Sequence, residues 1–87
     1  MSLESLRNEY DQAASNVQKY KRVNFIGDEI PNGDITYLKL VREKFLTFIA
    51  YKKLEVGESR WNSLFAPVYN KKLDDVENRL RESGVAL

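Results

Sequence analysis

Apolar residues recur along the first quarter of the chain at helical intervals. Leu3, Leu6, Tyr10, Ala13, Val17 and Tyr20 are spaced 3, 4, 3, 4 and 3 residues apart, which places them on one stripe of an α-helix. Ser2 is a suitable N-cap, Glu4 suits the positive end of the helix dipole, and Lys19, Lys21 and Arg22 suit the negative end. The pattern predicts helix 1 over about 3–23. A second apolar set, Ile35, Leu38, Val41, Phe45, Phe48 and Ile49, is broadened by Leu40, Leu46 and Ala50. So wide a stripe implies a helix that touches two others, and predicts a central helix 2 over about 33–54 with Lys39, Arg42, Glu43 and Lys53 outside. Trp61, Leu64, Phe65, Val68, Tyr69, Leu73, Val76 and Leu80 write helix 3 over about 58–83, closed by Gly84. Pro67 falls inside it, removes the hydrogen bond to Ser63 and predicts a kink there.

The segment 24–33 holds Gly27, Pro31 and Gly33 and is the main connection. Its Phe25, Ile26 and Ile30 predict that it packs on the helices. The junction of helices 2 and 3 is a helix-start signal. With Gly57 as N-cap, Val56 and Trp61 occupy the two positions of a hydrophobic staple. Ile30 and Ile35 repeat that five-residue spacing around Pro31. Two such starts fit two successive antiparallel hairpins. The expected architecture is therefore all-α: one domain, 1–87, a small antiparallel three-helix bundle with its third helix kinked at Pro67. The expected core is Leu6, Tyr10, Ala13, Val17, Leu38, Val41, Phe45, Phe48, Ile49, Trp61, Leu64, Phe65, Val68, Leu73 and Val76.

Composition narrows the chemistry. Hydrophobic residues are 43% and charged residues 31%, which suits a folded domain rather than a disordered chain. The sequence contains no Cys and no His, so it has no disulfide, no thiolate or imidazole catalyst, and no Cys- or His-ligated metal. No apolar run approaches the ~20 residues that span a bilayer. The acids fall mostly opposite the apolar stripes, as on a solvated face. Asp28, Glu29, Asn32 and Asp34 gather oxygen ligands in the connection, but without the alternation and terminal bidentate Glu of a calcium loop, and they read as a connector. The expectation is a non-enzymatic protein with no cofactor and no metal.

The segment Ala50-Tyr51-Lys52-Lys53-Leu54-Glu55-Val56-Gly57-Glu58-Ser59-Arg60-Trp61 resembles a hairpin of small bacterial envelope proteins, lipoprotein-like or periplasmic and of unknown function. In those, a short Gly-x-Ile-Ser/Thr turn ends one helix, and an acid and an aromatic open the next. Here Leu54 stands where Gly is usual and Gly57 where Ser or Thr is usual. The resemblance implies an interaction or structural module in the periplasm or envelope, with the cytoplasm as the alternative. A membrane attachment would run only through a lipid anchor on a Cys that this chain does not contain.

Basic residues interleave with tyrosine at three places: Tyr20 with Lys21 and Arg22, Tyr51 with Lys52 and Lys53, and Tyr69 with Lys71 and Lys72. Cations beside aromatics bind phosphates and stack on bases. They form the expected interaction surface, and they support an alternative function as a small adaptor for nucleotide or nucleic acid. The net charge of +1 argues against nucleic acid as the partner. Five Tyr, four Phe and one Trp are many for this length, and an aromatic-rich surface favours an unidentified protein partner. The strict stripe of helix 1 also permits homo-oligomers, although docking on helices 2 and 3 uses the same pattern.

Overall fold

The computed structural model describes residues 2–24 and 34–87. Within them the chain is α-helical: α1 spans Leu3–Asn24, α2 Ile35–Val56, α3 Glu58–Arg60 and α4 Ala66–Glu82, with a π-helical stretch, Trp61–Phe65, joining α3 to α4. The last three pieces run in succession as the third helix of an antiparallel bundle. Both α1 and α4 pack against α2. The breadth of α2's apolar stripe has that cause, since two helices must be covered by one. The connection 25–33, with the expected packing of Phe25, Ile26 and Ile30, the second staple and the acids Asp28 and Glu29, lies outside the described residues.

Caps set the helix limits. The Ser2 hydroxyl accepts the Ser5 N–H at 3.1 Å, as expected of an N-cap. Asp34 is the N-cap of α2: its carboxylate accepts the Tyr37 N–H at 2.8 Å. Helix 2 therefore starts at Ile35 rather than 33, and it runs on to Val56. Gly57 alone separates α2 from α3. Its N–H donates to Lys53 O at 3.1 Å, and its carbonyl accepts the Trp61 N–H at 3.0 Å, so one residue closes one helix and opens the next. Its φ of 88° and ψ of 155° belong to glycine, because a Cβ there meets the backbone itself. Nothing else stands within 4 Å of such a Cβ. Gly57→Ala is therefore expected to lower stability by about 1–3 kcal/mol through backbone strain alone, read as a lower melting temperature with the helical signal of the folded state retained.

The third helix departs from a single 3.6-residue period. The Ala66 N–H reaches back five residues to Trp61 O, a wider π turn just before Pro67. Pro67 follows as the second residue of α4 and, lacking an N–H, donates no hydrogen bond back into the π stretch. The wider turn also shifts the stripe. Trp61, Phe65, Tyr69, Leu73, Val76 and Leu80 are buried or half-buried, at spacings of 4, 4, 4, 3 and 4. Leu64 and Val68, expected in the core, are 68% and 53% exposed. An uninterrupted α period would have carried them inward with Trp61 and Phe65. The π turn leaves them outside.

The tightest packing is near the chain's end. Leu38, Val76 and Leu80 form a buried cluster, with Val41, Phe45 and Val85 against it. Gly84, at φ 90°, donates to Arg81 O, and the Val85 N–H donates to Leu80 O at 3.0 Å. This is a Schellman closure, with its usual apolar contact between the residue after the turn and the last helical turn. On α1, Leu6, Ala13 and Val17 are buried within the chain, so its stripe is taken up by the fold. Arg42, expected outside, is half-buried and donates to Glu77 at 2.9 Å, tying α2 to α4.

Candidate functional site

The site is built on rings that three helices bring to one level. Tyr10 of α1 meets Phe48 of α2 edge to face, with centroids 5.3 Å apart, and lies parallel to Tyr51 at 6.1 Å. Phe48 stacks on Tyr69 of α4 at 4.6 Å. Trp61 stacks on Phe65 at 5.6 Å and lies 6.0 Å from Tyr69 and 6.4 Å from Phe48. Each contact falls within the 4.5–7 Å range in which aromatic quadrupoles attract. The antiparallel order makes this possible: residues 10, 48 and 69 are remote in sequence and side by side in space.

Lysines border the rings. Lys52 Nζ lies 5.9 Å from the centroids of both Tyr51 and Phe65, and Lys72 Nζ lies 5.3 Å from that of Tyr69. Between α1 and α4, over α2, a cleft of about 150 Å³ is lined by Tyr10, Lys44, Phe45, Phe48, Tyr69 and Lys72. Its lining thus carries two cations and no carboxylate. Among the described residues, neither Lys44 nor Lys72 makes an ion pair.

Lys52 differs. Its ammonium donates to Glu55, which also accepts the Tyr51 hydroxyl at 2.6 Å. The Lys52 hydrogen bond, followed by that of Tyr51, holds the Glu55 carboxyl below the usual glutamate value, and the same contact raises Lys52. The Tyr51 hydroxyl is raised by its bond to Glu55. A lowered carboxyl contributes stability that is present above its unfolded pKa and is lost as pH falls through the lowered one. Lys52→Met is therefore expected to return the Glu55 titration toward the ordinary glutamate value, followed by carbon NMR of the carboxyl.

Of the three expected Lys–Tyr clusters, two converge here and one does not. Tyr69 and Lys72 line the cleft, and Tyr51 and Lys52 join it through the rings of Tyr10 and Phe65. Lys71 and Lys53 lie outside the cleft. Lys53 instead lines a second groove with Ala50, Leu54, Gly57 and Glu58. The Tyr20 cluster is remote, ten residues along α1 from Tyr10, or about 15 Å. The Tyr20 hydroxyl donates to both Asp34 oxygens, at 3.0 and 2.9 Å, and partial burial followed by that bond raises it. It tethers the end of α1 to the start of α2, with Lys21 and Arg22 beside it. Four residues of the cleft's lining were absent from the expected Lys–Tyr surface: Tyr10, Phe45 and Phe48 read as core, and Lys44 carried no signal in the sequence.

A third groove, between α1 and α2, is lined by the amides of Asn8, Gln12 and Asn16 together with Glu9 and Glu43. The Gln12 side chain donates to that of Asn16 at 2.9 Å. Among the described residues there is no cluster of three metal-ligating side chains, and no helix is long and apolar enough to cross a membrane.

Fold and site together define the class: an all-α three-helix domain with an aromatic cleft flanked by lysines. Comparison with protein-family models, with curated proteins and with solved structures finds no match.

Proposed function

We propose that the protein is a non-enzymatic interaction module that seats an acidic side chain of a partner protein in the cleft between α1 and α4. The observation that supports this is the pair Lys44 and Lys72, free of ion pairs among the described residues, set against the rings of Tyr10, Phe48 and Tyr69. A carboxylate entering there gains two ammonium groups, while its methylene stem lies against ring faces. The space also discriminates. About 150 Å³ holds one side chain, whereas small-molecule sites occupy about 300–1,000 Å³. The nucleotide reading keeps one support, the cation-flanked rings, and has size and the net charge of +1 against it. The likeness of the α2–α3 turn to those of small bacterial envelope proteins supports a setting in the periplasm or envelope, held by a lipid anchor from outside this chain.

The test is a titration, at low salt, of isotope-labelled protein with a polyglutamate peptide and separately with a single-stranded oligonucleotide. The peptide is expected to shift the resonances of Tyr10, Lys44, Tyr69 and Lys72. The double variant Lys44→Gln, Lys72→Gln should lose the response with its helical spectrum unchanged. Shifts from the oligonucleotide alone would favour the nucleotide reading, and no shift from either probe would overturn both.

A further inference from the structure

The side of α2 turned away from Phe48, with Glu43 at its edge on the groove shared with α1, repeats in a pattern that reads the same in both directions. Lys39, Glu43, Leu46, Ala50, Lys53 and Gly57 follow one another at intervals of 4, 3, 4, 3 and 4. Leu46 and Ala50 stand opposite Phe48 around the helix, so this face points away from the cleft. Leu46 is half-buried, and the other five are exposed. Beside them Leu54 is 52% exposed at the groove shared with Ala50, Lys53, Gly57 and Glu58. Intervals of 3 and 4 form the seam of a helix that meets another helix.

We propose that this face binds a second copy of the chain, α2 against α2 in antiparallel orientation about a two-fold axis near Phe48. The occupant follows from charge. When the seam is laid against its own reverse, Leu46 of one copy faces Ala50 of the other, and Glu43 of one copy faces Lys53 of the other. Both contacts occur twice, as two-fold symmetry requires. Lys39 falls opposite Gly57, next to Glu58. A large residue meets a small one at the centre, and opposite charges meet at both ends. In a parallel arrangement Glu43 would meet Glu43 and Lys53 would meet Lys53, so the charges also select the direction. Glu43 and Lys53 cannot pair within one chain, because ten helical residues separate them by about 15 Å. Ala50 and Gly57 carry little or no side chain, which lets the helices approach. The face is short, so the dimer belongs with the small, weak interfaces.

The charges supply a decisive experiment. Sedimentation equilibrium of the full chain, from about 10 µM to about 1 mM at low salt, should show a monomer that dimerises with concentration. Glu43→Lys and Lys53→Glu should each weaken self-association about tenfold or more, since every end contact becomes repulsive. Mixing the two single variants should restore it, because at positions 43 and 53 one copy then carries only lysines and the other only glutamates. Helical spectra of both variants control for folding. A parent chain that stays monomeric throughout would overturn the proposal. So would dimers indifferent to charge reversal, or variants that fail to associate when mixed. The cleft lies on the other side of α2, so failure here leaves the acidic-peptide titration untouched, and failure there leaves this result intact.

Discussion

Trp61→Ala is expected to destabilise the protein by about 3–5 kcal/mol. The indole is 2% exposed, and its ring neighbours Phe65, Tyr69 and Phe48 come from α2, the π stretch and α4. Its removal leaves a cavity that three separate backbone pieces would have to move together to fill. A domain of this size holds roughly 4–13 kcal/mol in all, at ~0.05–0.15 kcal/mol per residue, so the loss is a large part of the total. Leu64→Ala supplies the contrast. Leu64 shares Trp61's π stretch and lies on the same sequence stripe, yet it is 68% exposed. Its truncation should change stability by no more than about 0.5 kcal/mol. Urea unfolding of both variants decides the matter: comparable losses would mean that the π turn does not separate the two faces.

Leu80→Ala is the second large effect, at about 2–5 kcal/mol. Leu80 is 0% exposed, and it packs with Leu38 and Val76 while its carbonyl receives the Val85 N–H that closes α4. The substitution therefore opens a void where α2 and α4 meet and loosens the apolar contact of the Schellman closure. For a domain of this length each kcal/mol moves the melting temperature by about 4–8 °C, so a fall of at least about 8 °C is expected by calorimetry. Leu73→Ala, at a half-buried site on the same helix, should cost less. Equal costs would show that this end of the bundle is not its tightest part.

How far the sequence reaches is visible in these two residues. Leu80 stood on the written stripe of helix 3 but outside the expected core, because spacing alone does not rank members of a stripe by depth. Its depth comes from Leu38 across the interface and from the chain folding back through Gly84 to Val85. Leu64 and Val68 show the opposite failure. Their spacing was as good as that of their neighbours, but it assumed one helical period, and the Ala66–Trp61 hydrogen bond replaces that period with a wider turn beside Pro67.

The candidate site divides in the same way. The alternation of Tyr and Lys pointed to Tyr51, Lys52, Tyr69 and Lys72, and the geometry brings these to one region. It pointed equally to Tyr20, Lys21 and Arg22, which the antiparallel course of α1 sends to the other end, where Tyr20 binds Asp34. Lys44 was unreadable, for a lysine on a helix becomes part of a cleft only when a neighbouring helix stands beside it.

The sequence by itself determined the three helices, the breadth of the second, the helix start at Gly57, the stop at Gly84 and the absence of Cys and His chemistry. All of these depend on interactions within about one helical turn, or on which side chains exist at all, and both are written locally. Only the tertiary structure decided which residues of each stripe are deep, that the π turn leaves Leu64 and Val68 outside, and that Tyr10, Lys44, Phe48, Tyr69 and Lys72 form one cleft. Those facts depend on how helices distant in sequence are set against one another, and no local spacing records the register between them.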